Sequence, residues 1–179
     1  MARIPYPVPD ATSHITRVAD EVRAQRDGAL PNLYRALLHA PPVCDGWLRL
    51  GTAVRYESTL PPSLRELATC LVATRTGSAY EWGHHAPLAR RAGVTDQQLA
   101  ALVTGLGDAP FDERERACLE LVRCVVDHDA VPDELFARVH AHLGDRGTVE
   151  LVALAAYYSA VARFLAVLDV DVEDDVEQP

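Results

Sequence analysis

The sequence predicts an all-α protein, a helical bundle in a single domain that spans residues 1–179. Helical periodicity of the apolar residues dominates the chain, and no run alternates with the period of two that a strand would show. Proline or a Ser/Thr cap signal recurs ahead of each apolar-periodic segment, as it does at helix starts. A chain of 179 residues is also long enough to bury one core. At least seven helices and no sheet are therefore expected.

Prolines and glycines divide the first half of the chain. Residues 1–12 are expected to form an extended N-terminal segment, because its prolines lack a backbone donor and disfavour helix in the residue before them. Three helices are then expected at about 13–26, 31–38 and 43–55. Gly28 closes the first, Pro31 opens the second, and Pro41-Pro42 opens the third.

The second half follows the same rules. Leu60–Ser63 opens a helix to about Thr76, Ser78 opens one to about Ala92, and Thr95 with Gln98 is a capping-box signal for a helix to Val103. The remaining helices are expected at about Phe111–Asp127, Pro132–His142 and Thr148–Leu168.

The two ends of the last segment differ sharply in polarity. Its helix has no polar face between Leu151 and Ala162, which predicts a place in the centre of the core or in a subunit interface. Residues 169–179 carry six acidic side chains and are expected to be a solvated acidic tail.

Composition excludes several classes of function. The formal net charge of −9 argues against nucleic acid or an anionic membrane as partner. All 17 basic residues are Arg, so a Schiff-base lysine and a phosphate-loop lysine are excluded. No signal-peptide pattern is visible and the longest uncharged apolar run is too short for a bilayer, which predicts a cytoplasmic protein. The four cysteines show no C-x-x-C spacing and are expected to be reduced core residues.

The strongest functional signal is a polar face on the helix that Ser78 opens. Ser78, Glu81 and His85 stand at i, i+3 and i+7 and fall within an arc of about 60°, on the side of Trp82. His84 points a quarter-turn or more away. An acid, a hydroxyl and an imidazole among apolar residues cost free energy unless they bond to one another or are used. Glu81 and His85, one turn apart, are expected to hydrogen-bond directly.

A purely structural explanation of the acids competes with this one. Ser63-x-x-Glu66 and Ser78-x-x-Glu81 both match the capping box, in which the acid bonds back to the cap's backbone N–H. A metal site is not expected, because adjacent histidines on a helix diverge by about 100° and no H-x-x-x-H or H-E-x-x-H motif is present.

The stretch from Glu66 to about Leu102 resembles the carboxymuconolactone decarboxylase family, including its alkylhydroperoxidase D branch. The matching segments are 66–68, 78–85 and 89–95, with further likeness over 150–165. The resemblance implies an alkylhydroperoxidase D-like helical bundle, and the family's usual assembly implies a homotrimer or homohexamer.

The resemblance also bears on redox chemistry. The peroxidase branch has an acid followed by C-x-x-C-x-x-x-H; the acid falls on Glu66, the histidine on His85, and the two cysteines on Ser78 and Glu81. A dithiol cycle needs two thiols within reach of each other. Thiol peroxidase activity is therefore excluded, and Glu81 resembles the decarboxylase branch.

Together these observations predict a cofactor-independent lyase (decarboxylase) or isomerase that transfers a proton on a small carbonyl, lactone or keto-acid substrate. His85 would be the general base or acid, Glu81 its partner or a second proton-transfer group, and Glu66 an orienting acid. Ser78, Tyr80 and Trp82 would bind or orient the substrate. The alternative is a non-catalytic member of the fold, a small-molecule-binding or oligomeric scaffold protein, in which both acids only cap helices.

Overall fold

The computed structural model describes residues 2–8, 14–107 and 110–173, and within these ranges it contains eight helices and no strand. The helices are α1 (His14–Gln25), α2 (Asn32–Leu37), α3 (Pro41–Tyr56), α4 (Pro62–Thr76), α5 (Ala79–Arg91), α6 (Asp96–Thr104), α7 (Glu113–Asp127) and α8 (Asp133–Leu168). The prediction of an all-α fold is confirmed.

Helix α4 lies at the centre of the molecule and packs against α5, α6, α7 and α8. Its residues are buried without interruption from Glu66 to Ala73, so neighbours surround this part of the helix on all sides. An acidic residue on such a segment is held in the interior, where it needs a hydrogen-bonding partner.

Of the capping boxes that the sequence predicts, the one at the start of α6 is formed and the one at the start of α4 is not. Thr95 and Gln98 form the box at α6, with Gln98 N–H donating to Thr95 Oγ1 at 3.2 Å and Thr95 N–H donating to Gln98 Oε1 at 3.0 Å. The box at Ser63 and Glu66 is not formed, because α4 starts at Pro62 with Pro61 as its N-cap. Proline suits the first turn of a helix, and this earlier start places Glu66 too deep in α4 to reach the cap.

Helix α8 joins two segments that the sequence predicts as separate helices. The break between them is a single residue, Gly144, whose φ of 64° and ψ of −176° are accessible essentially to glycine alone. The inner face of α8 buries Leu151, Leu154 and Tyr158 against the core, whereas Val149 and Val152 are exposed.

The exposed residues of α8 continue onto α3. Val43 and Leu50 of α3 and Val149, Val152, Ala153 and Ala156 of α8 line two adjoining shallow grooves. We call these six residues the α3–α8 apolar face. By length and composition alone α8 could cross a membrane, and 44% of its apolar 18-residue window is buried inside the molecule.

The first residues after α8 do not follow the prediction of a solvated acidic tail. Residues 170–173, here called the C-terminal strap, pack back on the molecule with Val170 buried. Asp171 Oδ2 accepts from Ala2 N–H at 3.0 Å, and Leu168 carbonyl accepts from Arg3 N–H at 2.9 Å, so the two ends of the chain lie together. Of the predicted end segments, residues 1, 9–12 and 174–179 lie outside the described residues.

Candidate active site

Two consecutive helices position the polar residues. α4 ends at Thr76, Ser78 caps α5, and the two helices pack against each other. This brings Glu66 of α4 next to Glu81 and His85 of α5. All three are buried, with relative exposures of 6%, 3% and 4% respectively.

The imidazole of His85 lies between the two carboxyl groups. Its Nδ1 is 2.7 Å from Oε2 of Glu66, and its Nε2 is 3.7 Å from Oε2 of Glu81. The ring packs edge-on against Tyr158, with 4.9 Å between the centroids. We call Glu66, Glu81 and His85 the inner triad. The expected direct hydrogen bond between Glu81 and His85 is not formed; Glu66 makes the short contact instead.

Burial decides the protonation of the inner triad. It lowers the pKa of His85, although the hydrogen bond with Glu66 acts in the opposite direction. Burial alone would raise the pKa of Glu66, but the hydrogen bond from His85 and the nearby Arg55 and Arg65 outweigh it and lower that pKa. Near neutral pH, Glu66 is therefore ionised, and the neutral His85 donates Nδ1–H to it and leaves Nε2 as an acceptor.

Glu81 behaves differently from Glu66. Burial raises the pKa of Glu81 to about 7, against the charges of His84 and Arg55 that lower it. A substantial fraction of Glu81 is therefore protonated at neutral pH and faces the free Nε2 of His85. The triad thus holds one fixed anion, one neutral base and one acid of near-neutral pKa, which is the composition needed for proton transfer.

A cavity of about 90 Å³ opens on the inner triad. Glu81 and His85 line it from α5, Arg55 lines it from α3, and Tyr157 and Tyr158 line it from α8. The guanidinium carbon of Arg55 is 5.1 Å from the ring centroid of Tyr56, and no hydrogen bond or ion pair joins Arg55 to another described residue. Arg55 therefore presents its positive charge to the cavity without a hydrogen-bonded carboxylate partner.

A second polar cluster lies at the more exposed end of the cavity. Glu173 of the C-terminal strap accepts from Asn32 N–H at 2.6 Å and from the Tyr80 hydroxyl at 2.9 Å, and its Oε2 is 2.8 Å from Nε2 of His84. Tyr80 and His84 both line the cavity. We call Tyr80, His84 and Glu173 the outer cluster. The His84 side chain is 29% exposed, against 5% for His85.

The structure therefore brings together some of the sequence-predicted residues and not others. Tyr80, Glu81 and His85 line the cavity, and Glu66 supports His85 from behind. Ser78 accepts from Glu81 N–H at 3.3 Å as the cap of α5, and neither Ser78 nor Trp82 lines the cavity. Substrate contact by Ser78 and Trp82 stays a prediction that the cavity does not support.

The expectation that His84 faces away from the site is wrong. A rotation of about 100° along α5 takes His84 off the inner triad, but His84 still lines the cavity, together with Tyr80 of the same helix. The capping explanation of the acids also fails, since the carboxylate of Glu66 contacts His85 and Arg65, and that of Glu81 lies near His85.

Sequence reasoning missed Arg55 and Glu173. Arg55 lies near the end of an amphipathic helix, where an arginine usually faces solvent, and no spacing relates it to the motif on α5. Glu173 follows the last helix in an acidic run, and only the return of the strap reveals its role. Tyr158 belongs to the C-terminal resemblance, but nothing in the sequence indicates its contact with His85.

Neither a metal cluster nor a thiol pair accompanies the cavity. In residues 2–8, 14–107 and 110–173, no group of three or more His, Cys, Asp or Glu side chains is arranged to hold a metal ion. Cys44, Cys70, Cys118 and Cys124 are free and buried, and none lines the cavity. Burial raises the pKa of Cys44 and of Cys118 to about 12, which disfavours the thiolate that redox chemistry uses.

Comparison with known sequences identifies the family of this chain. Residues 41–123 match the sequence model of the carboxymuconolactone decarboxylase family. The uncharacterized protein YdfG of Bacillus subtilis is 30% identical over 100 residues, which are 55% of this chain and 68% of that protein.

Solved structures match almost the whole chain at low identity. An uncharacterized peroxidase-related protein from Ralstonia eutropha, described as an alkylhydroperoxidase AhpD core, has a TM-score of 0.81 and 20% identity over 97% of this chain and 93% of its own. A peroxidase-related protein from a Silicibacter species has a TM-score of 0.82 and 17% identity over the same shares. The debrominase Bmp8 in complex with 2,3,4-tribromopyrrole has a TM-score of 0.76 and 18% identity over 94% and 91%. These likenesses show the AhpD-like fold.

Proposed function

Because this chain belongs to the carboxymuconolactone decarboxylase family, and because its cavity holds a neutral imidazole between two carboxyl groups, we propose that it is a proton-transfer enzyme. Its substrate is a small carbonyl, lactone or keto-acid compound. The reaction is a decarboxylation or an isomerisation that needs no cofactor. The observation that carries the proposal is the position of the His85 imidazole, which lies between the carboxyl groups of Glu66 and Glu81 and lines the cavity.

His85 acts as the general base. Glu66 fixes the ring with Nδ1–H toward the carboxylate, so Nε2 keeps its lone pair toward the cavity. Nε2 then accepts a proton from the carbon next to a carbonyl, and the electron pair of the broken C–H bond moves into the carbonyl to form an enolate. In a decarboxylation, the electron pair of the C–C bond moves instead, and carbon dioxide leaves.

Glu81 and Arg55 complete the cycle. Glu81, with its pKa raised to about 7 by burial, donates a proton to the enolate carbon and is reprotonated from His85 or solvent. Arg55 lines the same cavity and provides the positive charge that stabilises the enolate oxygen. The relative Bmp8 is named a debrominase, which supports catalysis on this scaffold without identifying the substrate here.

A substrate panel tests the proposal. The purified protein is incubated with muconolactone-type compounds and β-keto acids, and carbon dioxide and isomer formation are measured. We expect turnover of at least one compound by the wild type, loss of that turnover in His85→Ala, and retention in His142→Ala, which removes an exposed histidine. Turnover that persists in His85→Ala would remove His85 from the mechanism.

The same geometry leads us to propose that the protein is not a thiol peroxidase. Ser78 and Glu81 occupy the positions of the redox cysteines, and the four thiols are buried away from the cavity. A variant with all four cysteines replaced by Ala or Ser should keep its activity while remaining folded, and wild type should not turn over organic hydroperoxide with thiols. Thiol-dependent turnover that the quadruple variant loses would contradict this.

We further propose that the α3–α8 apolar face is covered by further copies of the chain in a homotrimer or homohexamer. Val149 is 68% exposed and Val43 51%, which is unfavourable for large apolar side chains grouped on one face. Sedimentation should show an oligomer of the wild type, and Val149→Asp with Val152→Asp should dissociate it. A wild-type monomer at micromolar concentration would contradict the proposal.

A further inference from the structure

The C-terminal strap places a carboxylate from the chain itself at the outer end of the cavity. Glu173 accepts hydrogen bonds there from Asn32 N–H and the Tyr80 hydroxyl, and it pairs with His84. Two of these partners, Tyr80 and His84, are cavity-lining residues. Glu173 thus engages hydrogen-bonding groups of two cavity-lining residues, which a ligand at this end of the cavity would otherwise meet.

The groups around Glu173 are arranged as donors. The hydroxyl of Tyr80 accepts from Leu33 N–H at 3.2 Å, so its own hydrogen is directed to Glu173 at 2.9 Å. The backbone N–H of Asn32 is fixed by the main chain and lies 2.6 Å from the same oxygen. Burial alone would raise the pKa of Glu173, but the hydrogen bonds with His84 and Asn32 outweigh it and lower that pKa. The surroundings therefore favour a carboxylate over a carboxylic acid.

The strap itself can move without disrupting a helix. Residues 170–173 belong to no helix or strand, and they are held by separate contacts such as that of Asn32 Nδ2 with the Asp171 carbonyl at 3.1 Å. By contrast, Tyr80 and His84 are fixed on α5 and Asn32 on α2. The donors would therefore remain in place if Glu173 left them.

We propose that these donors form a carboxylate-binding subsite at the outer end of the cavity, and that Glu173 is its internal occupant, which a carboxylate-bearing ligand displaces. This inference rests on the proposed function and deepens it, because it names a group that the substrate carries at the end remote from His85. In the absence of such a ligand, Glu173 holds the hydrogen bonds of the subsite.

A binding experiment with a simple carboxylate tests the subsite without requiring turnover. Butyrate and its neutral isostere butyramide are titrated into the full-length protein, and the ring signals of His84 are followed by NMR. Wild type is compared with Glu173→Ala, and with Glu134→Ala, which removes the same charge from an exposed position on α8. The double variant Glu173→Ala with Tyr80→Phe removes one donor of the emptied subsite.

Glu173→Ala should bind butyrate roughly tenfold or more tightly than wild type, because hydrogen-bond donors that favour a charged acceptor become free for the ligand. Glu134→Ala should leave the affinity for butyrate unchanged, and the double variant should lose most of the increase seen in Glu173→Ala. The affinity for butyramide should be the same in Glu173→Ala and wild type. The subsite is refuted if Glu173→Ala raises the affinity for butyrate no more than Glu134→Ala does. It is also refuted if Glu173→Ala raises the affinity for butyramide as much as the affinity for butyrate.

The two proposals fail in different ways. If Glu173→Ala gains affinity for butyrate but no variant turns over any compound of the panel, the subsite stands and the proposed reaction fails. If wild type shows turnover that depends on His85 while Glu173→Ala gains no affinity, the reaction stands and the subsite fails.

Discussion

His84 and His85 are neighbours in the sequence, and each lies within 2.8 Å of a glutamate oxygen, yet their surroundings are opposite. His85 is enclosed by α4, α5 and α8, and its partner Glu66 belongs to the central helix. His84 is partly exposed, and its partner Glu173 belongs to the C-terminal strap. One kind of hydrogen bond therefore serves two purposes in this molecule. In the core it fixes the tautomer of a base, and near solvent, where ion pairs are weak, it makes a contact that a ligand can replace.

Replacing each histidine in turn should give the largest difference between the two sites. His85→Ala should lower the rate by about 10²–10⁴, the usual worth of a positioned acid–base group. His84→Ala should change the rate by less than about tenfold, because it removes a contact at the outer end and not the proton acceptor. Rates are measured on a compound that wild type turns over, with circular dichroism to verify folding.

The control for both variants is His142→Ala, whose side chain is exposed and remote from the cavity. A larger loss for His84→Ala than for His85→Ala would mean that the outer cluster performs the chemistry, and the assignment of the inner triad would then be wrong.

The pH dependence of the rate tests whether Glu81 and Glu66 differ in protonation. Because burial raises the pKa of Glu81 to about 7, the acid form that donates the proton is lost as the pH rises through 7. The wild-type rate should therefore fall above pH 7, and Glu81→Gln should lower the rate by about 10²-fold and abolish this limb. If the rate of Glu81→Gln still fell above pH 7 as in wild type, the fall would have to be assigned to another group.

Glu81 should also leave a signature in stability. Its pKa in the folded protein lies above the value of about 4.3 in the unfolded chain, so its contribution is fully present below pH 4.3 and is lost as the pH rises toward 7. Relative to Glu81→Gln, wild type should lose about 3 kcal/mol of unfolding free energy over that interval. Urea unfolding at several pH values measures it, and parallel curves for the two proteins would contradict the raised pKa.

Gly51 tests how tightly the wall of the cavity is packed. A Cβ at Gly51 would collide with the Tyr157 hydroxyl and lie 3.1 Å from its Cζ, whereas a Cβ at Gly46 on the same helix meets nothing within 4 Å. Gly51→Ala should therefore destabilise the protein by about 1–3 kcal/mol, and Gly46→Ala should stabilise it by up to about 1 kcal/mol. Thermal unfolding of both variants gives the comparison, and equal shifts would show that Tyr157 is not held against α3.

The inner triad could largely be predicted from the sequence, since it depends on helix periodicity. The spacing of Glu81 and His85 along α5 brings them to one face, and the resemblance adds Glu66 on the preceding helix. The choice of partner could not be predicted, because a distance of 2.7 Å to Glu66 or 3.7 Å to Glu81 follows from how α4 packs on α5. The start of α4 could not be predicted either, because Pro61 and Pro62 are both possible first residues of the helix and the structure selects Pro62.

The outer cluster could not be predicted, since it joins parts of the chain that are distant in sequence. Glu173 and Asn32 are separated by 141 positions, and neither belongs to a recognisable motif. Acidic residues after a final helix usually remain in solvent. The composition of this segment therefore predicted a solvated tail and not a strap that packs on the molecule. Helical segments are thus determined locally, whereas the closure of the cavity is a tertiary contact without a local signal.

His85 acts as a base only if its ring is neutral and held by Glu66, and nitrogen NMR of the histidine rings measures that protonation state. With protein labelled by ¹⁵N-histidine and the His85 signals assigned through His85→Gln, the spectrum at pH 7 should show Nδ1 protonated and Nε2 unprotonated. Glu66→Gln should weaken the preference for this tautomer. A doubly protonated ring at pH 7, or a proton on Nε2 alone, would contradict the account.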